Sequence, residues 1–302
     1  MSIVVVADLD RTLIYSAAAL GLTGRDEDAP RLLCVEVYAG RPLSFVTERA
    51  ADCLSRLAEA RLLVPATTRT VAQLRRVRLP GPPAAYALCA NGGRLLRDGV
   101  EDLDFTAAVA ARLGSAGAPL PELRAELDRA LAAVDPFVEK VREADGLFCY
   151  AVVDRQRLPS SWVEELTGYA AERGWAVSVQ GRKVYCVPAA LSKAAAAEEV
   201  ATLMGADRFV AAGDSVLDGE LLEAADAAIR PAHGELHASG WARPHVTVTS
   251  SAGVLAGEEI AGWLARQAGV DAGIRQRVSA MAARVRRTTP AAISRTARSS
   301  TR

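Results

Sequence analysis

The chain has 302 residues, of which 50% are apolar and 24% are charged, and its 36 basic and 36 acidic residues cancel to a net charge of zero. A chain of this length and apolar content can bury one large core or two modest ones, which excludes a fibrous or disordered protein. No apolar stretch approaches the ~18 residues of a membrane span, and the first apolar run is too short for a signal peptide, so we expect a cytoplasmic protein without membrane contacts.

The first predicted element is a buried strand within "IVVVADLDRTLI", residues 3–14. Its five apolar residues, rich in β-branched side chains, run directly into Asp8 and Asp10. Carboxylates crowded at the end of a buried strand repel one another and lose hydration, and a divalent cation such as Mg²⁺ removes that cost. Ligands of open α/β sheets bind at this carboxyl end. The pattern indicates a metal-assisted site, although a solvated strand-to-helix turn also fits these letters.

Strand-like and helical patterns then alternate along the chain. The predicted strands are 3–7, 62–66, 85–89, 208–212 and 245–248. The predicted helices are 46–60, 70–78, 193–204, 217–224 and 252–267. This alternation predicts an α/β fold, a doubly wound parallel Rossmann-like sheet with helices on both faces.

The pattern changes between residues 103 and 187. Two helices and three strands are predicted there, at 120–133, 146–153, 160–173, 175–180 and 183–187. Gly181 and Arg182 separate the last two strands, which predicts an antiparallel hairpin. We therefore expect an α+β cap, 103–187, inserted into a discontinuous core, 1–102 and 188–270.

The carboxyl-terminal segment, 271–302, differs from the rest of the chain in its charge and composition. It carries eight Arg against one Asp, a net charge of +7, while the rest of the chain carries −7. Its Ser, Thr and Ala content predicts a disordered extension. The segment is the only candidate for nucleic-acid binding, which we consider unlikely. One alternative nevertheless remains open, a nucleic-acid or partner-binding protein that works through this tail.

Three further clusters of polar residues lie at predicted strand or helix ends. Thr67, Thr68 and Arg69 follow the second strand, where hydroxyls and free helix N–H groups suit a phosphate, or else cap the next helix. Lys193 stands in the first turn of a predicted helix, where a cation opposes the helix dipole. The sequence "GDSVLD" puts Asp214 and Asp218 after the fourth strand, either as a functional pair or as helix-capping acids.

The order of these clusters resembles the haloacid dehalogenase superfamily of phosphohydrolases. The matching residues are Asp8, Asp10, Thr12, Thr67, Lys193, Gly213, Asp214 and Asp218. The segments "CANGGRLLRDG" and "VPAALSKAAA", with an insert between them, resemble the Cof-type branch (class IIB, with a C2 cap). Two residues depart from that pattern: Leu217 stands where Asn is usual, and Thr68 where Gly is usual.

The resemblance implies a role for each residue. Asp8 is the nucleophile that forms an aspartyl-phosphate, and Asp10 is the general acid and base. Mg²⁺ is held by Asp8, the main-chain carbonyl of Asp10 and Asp214, while Asp218 positions Lys193 or a metal-bound water. The phosphate is bound by Thr67, Thr68, Arg69, Asn91 and Lys193.

The resemblance therefore implies a Mg²⁺-dependent phosphatase of a small phosphorylated metabolite, such as a sugar phosphate. A phosphomutase or phosphotransferase with the same intermediate remains an alternative. The substrate and the oligomeric state are not readable from the sequence. Four cations in or near the predicted cap hairpin could face the site, although surface positions are common in an arginine-rich chain: Arg94, Arg155, Arg182 and Lys183. His233 and His237 could lie on one helix face and are interpreted as a solvated pair.

Overall fold

The computed structural model describes residues 2–134 and 136–270. Its strands are β1 (Ile3–Ala7), β2 (Tyr15–Ser16), β3 (Leu32–Tyr38), β4 (Arg41–Thr47), β5 (Leu63–Pro65), β6 (Tyr86–Cys89), β7 (Arg94–Arg97), β8 (Val100–Glu101), β9 (Val138–Ala144), β10 (Phe148–Val153), β11 (Trp175–Gln180), β12 (Lys183–Pro188), β13 (Arg208–Ala212), β14 (Ala227–Arg230) and β15 (Val246–Val248). Its α-helices are α1 (Glu48–Glu59), α2 (Val71–Leu74), α3 (Leu103–Leu113), α4 (Leu120–Leu131), α5 (Ser160–Ala171), α6 (Lys193–Leu203), α7 (Gly219–Ala224), α8 (Glu235–Ala238) and α9 (Gly253–Gln267).

A five-stranded parallel sheet forms the centre of the core, in the order β15-β14-β13-β1-β5. Alternate residues of β1 face opposite sides: Val4 and Val6 join an apolar cluster with α6 and α7, whereas Val5 and Ala7 pack with α1 and α9. Helices on both faces require strands that are apolar throughout, which explains the continuous apolar runs. The predicted doubly wound α/β sheet is therefore confirmed. Its membership differs at two places: the predicted strand 85–89 is β6, which pairs antiparallel with β7 outside this sheet, and β14, which was not predicted, lies within it.

This topology collects the ends of three strands at one edge of the sheet. The N–H of Asp8, just after β1, donates to Ala212 O at the end of β13 (2.9 Å). Thr67, after β5, donates its N–H to Leu88 O of β6 (2.9 Å). The predicted polar clusters thus meet at the carboxyl ends of the strands, as expected for a doubly wound sheet.

The predicted α+β insert is a four-stranded antiparallel sheet in the order β11-β12-β10-β9, with α4 packed on β9 and α5 on β11. Gln180 pairs with Lys183 across the predicted two-residue turn. Its apolar residues join the cluster on one face of the core, so the two sheets share a continuous apolar contact. We call this sheet with α4 and α5 the cap. The domain boundaries at 102 and 187 stay predictions.

A hairpin between the first and second core strands was not predicted. We call β3, β4 and their turn the flap hairpin; β2 adds to it in the order β2-β4-β3. Its turn residues Ala39 and Gly40 both have positive φ, 50° and 72°, as a tight hairpin turn requires. Bulges in β3 leave Val35 and Glu36 buried side by side. Helices α3 and α8 and strands β7, β8 and β9 were not predicted either.

Within residues 2–134 and 136–270, no helix is long and apolar enough to cross a membrane. The predicted basic tail, 271–302, lies outside the described residues.

Candidate active site

Lys193 lies at the centre of the site and joins two strand ends. Its Nζ donates to Asp8 Oδ1 at 2.7 Å and to Asp218 Oδ1 at 2.6 Å. The lysine side chain is only 1% exposed and that of Asp218 is fully buried. Ser192 caps α6 by accepting from the N–H groups of Ala194 and Ala195, so the helix start fixes where this ammonium lies. A buried cation needs a carboxylate partner, and Lys193 has two.

Asp218 also organises the loop after β13. Its second oxygen, Oδ2, accepts from the N–H groups of Asp214 (3.2 Å) and Ser215 (3.0 Å) and from the Ser215 hydroxyl (2.7 Å). A Cβ on Gly213 would lie 2.4 Å from the Cβ of Asp218, which explains why glycine stands at that position. Ser215, not Asp214, is the N-cap of the following turn. The side chain of Asp214 is therefore available to the site.

Three carboxylates of this cluster can hold a cation. One oxygen from each of Asp8, Asp214 and Asp218 lies within 4.8 Å of the other two. Carboxylate oxygens are hard ligands of the kind that Mg²⁺ prefers. The donor set therefore fits the expected metal, and Lys193 is the only cation in direct contact with Asp8 and Asp218 among the described residues. The carboxylate of Asp10 is not part of this cluster.

The pKa values record the crowding of charge. Burial, with the nearby Asp218, raises the pKa of Asp8 to about 7, although Lys193 opposes the shift. Burial and the charge of Asp8 raise the pKa of Asp214 well above its ordinary value. Burial alone would lower the pKa of Lys193, but Asp218 and Asp8 raise it above its usual range. Three carboxylates and one ammonium leave an excess of negative charge that a divalent cation would neutralise.

The carboxylate of Asp10 lies outside this group of three and forms a bidentate ion pair with Arg69. Arg69 Nε and Nη2 donate to its two oxygens at 2.7 and 2.8 Å. Burial would raise the pKa of Asp10, but these hydrogen bonds and the charge of Arg69 lower it. Arg69 Nη1 is also 2.9 Å from Glu36 Oε2 on the flap hairpin. Glu36, only 1% exposed, further accepts from Ser44 and Arg76, and sequence analysis missed it.

The predicted phosphate-binding residues lie in a buried loop after β5. Thr67 and Thr68 do not cap α2, because Thr70 does so in a reciprocal capping box with Gln73. Asn91 donates its N–H to Thr67 O (2.9 Å) and its side-chain amide to Leu191 O (2.9 Å). Asn91 thus links the Thr67 loop to the segment that precedes Lys193. Their phosphate contacts stay predictions.

A cleft of about 880 Å³ opens above the site between core, flap hairpin and cap. The core lines it with Asp10, Arg11, Arg69 and Asp214, and the flap hairpin with Leu43 and Ser44. The cap lines it with Val152, Arg155, Val179, Gln180, Gly181, Arg182, Lys183 and Tyr185. Its volume is typical of a small-molecule site.

Glu235 holds the cap against the core, which sequence analysis also missed. Its carboxylate accepts from Ser178 Oγ (2.6 Å) and Val179 N (2.9 Å) of β11. On the core side it accepts from Val216 N (3.0 Å). The half-buried carboxylate of Glu235 thus joins the cap sheet to the loop that carries Asp214 and Asp218.

Several other predicted residues lie elsewhere. Arg94 donates to Asp145 O and pairs with Glu101, outside the cleft lining. Leu217 packs against the apolar cluster. The prediction of a solvated histidine pair on one helix face is wrong for His233, which precedes α8. Its ring bonds Arg11 O and accepts from Gly253 N, and burial lowers its pKa. His237 is exposed.

The parallel sheet, the acidic cluster at its carboxyl edge and the inserted α+β cap form a capped α/β fold that is also seen in solved phosphatases of the haloacid dehalogenase superfamily. No protein-family model and no curated sequence matches the chain. Solved structures establish the fold. The chain is similar to the sucrose-phosphatase of Synechocystis (TM-score 0.57, 16% identity, 87% of this chain and 98% of that chain).

Two further structures have the same fold. One is the carboxyl-terminal domain of trehalose-6-phosphate phosphatase from C. albicans, with TM-score 0.56, 12% identity and coverage of 87% and 92%. The other is a subclass IIB sugar phosphatase of the haloacid dehalogenase superfamily, with TM-score 0.51, 11% identity and coverage of 90% and 100%.

Proposed function

We propose that the protein is a Mg²⁺-dependent phosphatase of a small phosphorylated metabolite, a sugar phosphate or similar phosphomonoester. One observation carries the proposal: the Asp8 carboxylate at the end of β1 is held by Lys193 inside an acidic cluster, beside a cleft lined by Asp10. The Asp8 carboxylate is therefore the candidate nucleophile, since carboxylates can attack phosphorus and form an aspartyl-phosphate.

Two steps complete the reaction. An Asp8 oxygen attacks the phosphorus in line, the bond to the leaving oxygen breaks, and Asp10 donates a proton to that oxygen. Asp10 then takes a proton from water as the water oxygen attacks phospho-Asp8. Inorganic phosphate leaves and the Asp8 carboxylate is restored. Asp8, Asp214 and the Asp10 carbonyl would hold Mg²⁺, which when bound supplies positive charge against the repulsion between carboxylate and phosphate.

Lys193 and Arg69 contribute the positive charge of the chain itself. Lys193 fixes the orientation of Asp8 and, as a compact point charge, neutralises phosphoryl oxygens. Arg69 now binds the two oxygens of Asp10, and a phosphate offers this guanidinium a second partner of matching geometry. Exchange of Arg69 from Asp10 to phosphate would release Asp10 for proton transfer. The sugar phosphatases of the same fold support a sugar phosphate as substrate.

The test is the Asp8→Asn variant with a panel of phosphorylated metabolites and Mg²⁺. Because an amide does not attack phosphorus, turnover should fall at least about 10³-fold while the melting temperature holds. Asp104→Asn, an exposed acid on α3, is the matched control and should keep full activity. Release of inorganic phosphate to water identifies a hydrolase, whereas transfer to a sugar acceptor identifies a phosphotransferase. Asp8→Asn with wild-type turnover would overturn the proposal.

A further inference from the structure

The cap wall of the cleft carries unbalanced positive charge. Arg155, Arg182 and Lys183 all line the cleft from the cap. Across it, the core charges are paired: Arg69 with Asp10, and Arg11 with Asp214 at 3.5 Å. The two sides of the cleft therefore differ in what they offer a ligand.

Among the described residues, only one of the three cap-wall cations is paired with a carboxylate. Arg182 pairs with Glu139, which lies outside the cleft lining. Within residues 2–134 and 136–270, neither Arg155 nor Lys183 forms an ion pair within 4 Å. Glu235 is the one acid of the cleft lining that is hydrogen-bonded to the cap sheet, and its carboxylate accepts from Ser178, Val179 and Val216. Two cap cations, Arg155 and Lys183, thus face the cleft without a carboxylate in direct contact.

Lys183 is the best placed of these cations. It lies at the start of β12, opposite Val152 of β10, with its Nζ 5.4 Å from the ring centre of Tyr150 and 5.7 Å from that of Tyr185. Aromatic faces hold an ammonium without neutralising it. Tyr185, and more weakly Asp10, raise the pKa of Lys183 above its ordinary value despite burial, so it stays charged at neutral pH. Lys183 is therefore half-buried, held in place and positive.

We propose that this cap wall binds a second anionic group of the substrate, a carboxylate or second phosphate distinct from the phosphate that is cleaved. The proposal rests on the proposed function and names the substrate class of the same site. A neutral sugar presents hydroxyls that need acceptors as well as donors, and among the side chains of this wall Gln180 is the one amide. Guanidinium and ammonium groups instead match an anion. A cleft of about 880 Å³ has room for a metabolite with two charged ends.

Matched pairs of phosphomonoesters test this selectivity. The first pair, 3-phosphoglycerate and glycerol 3-phosphate, differs by a carboxylate; the second, fructose 1,6-bisphosphate and fructose 6-phosphate, differs by a phosphate. We expect kcat/KM to be at least about tenfold higher for the doubly anionic member of one pair, since charge-assisted hydrogen bonds are worth this much. The pair that shows the preference identifies the anion. Equal kcat/KM within both pairs would overturn the proposal.

The variants Lys183→Gln and Arg155→Gln assign the preference to the cap wall. Each should lower the kcat/KM ratio within the preferred pair by about tenfold, through KM. Lys140→Gln is the matched control: it removes the same charge from the same cap sheet at an exposed position outside the cleft lining, and should keep the ratio. A ratio that survives in both cleft variants, or falls equally in Lys140→Gln, would show that the preference has another source.

Binding to the Asp8→Asn protein separates this proposal from the proposed function. Calorimetry should give a Kd for 3-phosphoglycerate or the bisphosphate at least about tenfold lower than for its partner, and Lys183→Gln in the same background should remove the difference. Absence of turnover in the wild type with this binding preference intact would refute the phosphatase and keep the anion site. Turnover in the wild type with equal binding within both pairs would keep the phosphatase and refute the anion site.

Discussion

The acidic cluster beneath the cleft and the cap wall above it treat charge in opposite ways. In the core, Asp8, Asp218 and Lys193 are buried and bound to one another at 2.6 and 2.7 Å. On the cap, Arg155 is exposed and Lys183 is half-buried, and among the described residues neither has an ion-pair partner. A buried cluster whose side chains bond one another directly can hold only one arrangement, which suits a fixed chemical step. Open, unpaired cations leave their charge for a ligand, which suits substrate choice.

The largest effect is expected from a change of Lys193, the buried cation of the acidic cluster. Lys193→Ala should lower kcat/KM by about 10²-fold or more, because it removes an electrostatic stabiliser of the reacting groups. It also leaves two buried carboxylates without their cation, so the melting temperature without Mg²⁺ should fall, and Mg²⁺ should restore part of it. Kinetics at saturating Mg²⁺ and thermal melts with and without the metal measure both effects.

Lys193→Arg is the sharper variant. Its guanidinium is larger and planar, so it should not fit between the oxygens of Asp8 and Asp218, and activity should again fall well below that of the wild type. If the arginine variant is as active as the wild type, Lys193 has no place in the proposed reaction.

The acidic cluster should also bind its metal in a pH-dependent way. The pKa of Asp8 is raised to about 7, so its proton must leave before a cation binds. The Kd for Mg²⁺ should therefore fall at least about tenfold between pH 6 and pH 8. Calorimetry at both pH values checks this, with Asp8→Asn as the control. The same Kd at pH 6 and pH 8 in the wild type would contradict the raised pKa.

The stability of the metal-free protein should respond to pH in the opposite sense. Between about pH 3.8 and 7 folded Asp8 binds a proton that the unfolded chain has lost. The contribution of Asp8 to the free energy of unfolding therefore decreases as pH rises through that window. Melting of the wild type minus that of Asp8→Asn, in chelator, isolates the contribution.

The core cluster could be predicted from the sequence because each of its members follows a strand or begins a helix. Asp8 comes directly after β1 and Asp214 two residues after β13; these strands pair in parallel, so the sheet alone brings the two acids to one edge. The turn residues Gly181 and Arg182 likewise predicted the cap hairpin. The alternation of strands and helices predicts the sheet, and the polar residues at strand ends predict which side chains meet at its edge.

Glu36 and Glu235 could not be predicted in the same way. Bulges in β3 break the two-residue alternation, so the inward direction of Glu36 is not visible in the pattern. Its partner Arg69 follows a different strand. Glu235 sits on a four-residue helix, and its donors come from β11 and from residue 216. Both depend on how distant segments pack, which local sequence does not specify.

Glu36→Gln tests whether the flap hairpin positions the catalytic groups. The change removes the negative charge that holds Arg69 Nη1, so the bidentate contact of Arg69 with Asp10 should loosen and kcat/KM should fall about tenfold. The variant should also lose about 3 kcal/mol of stability, because buried Arg69 loses a counter-ion. Steady-state kinetics give kcat and KM separately, and melting gives the stability.

Arg76→Gln is the matched control for that variant. Arg76 binds the other oxygen of Glu36 at 3.3 Å and does not touch Asp10. It should lower stability while kcat stays within about twofold, since Arg69 keeps both acids. Loss of activity in proportion to loss of stability in both variants would mean that Glu36 is structural only.

The smallest expected effect concerns the contact between the two regions themselves. Glu235→Ala removes three hydrogen bonds that tie β11 of the cap to Val216 of the core. It should cost about 2 kcal/mol and raise KM severalfold with little change in kcat, because the cap wall then spends less time over the cleft while the acidic cluster is intact. Glu259→Ala is its control: that carboxylate also accepts three hydrogen bonds, from Ser250 and Ser251, but all lie within the core. A similar loss of stability with an unchanged KM is expected there. If both glutamate variants raise KM equally, closure of the cap does not depend on Glu235, and the cap wall would have to be held over the site by its apolar contact alone.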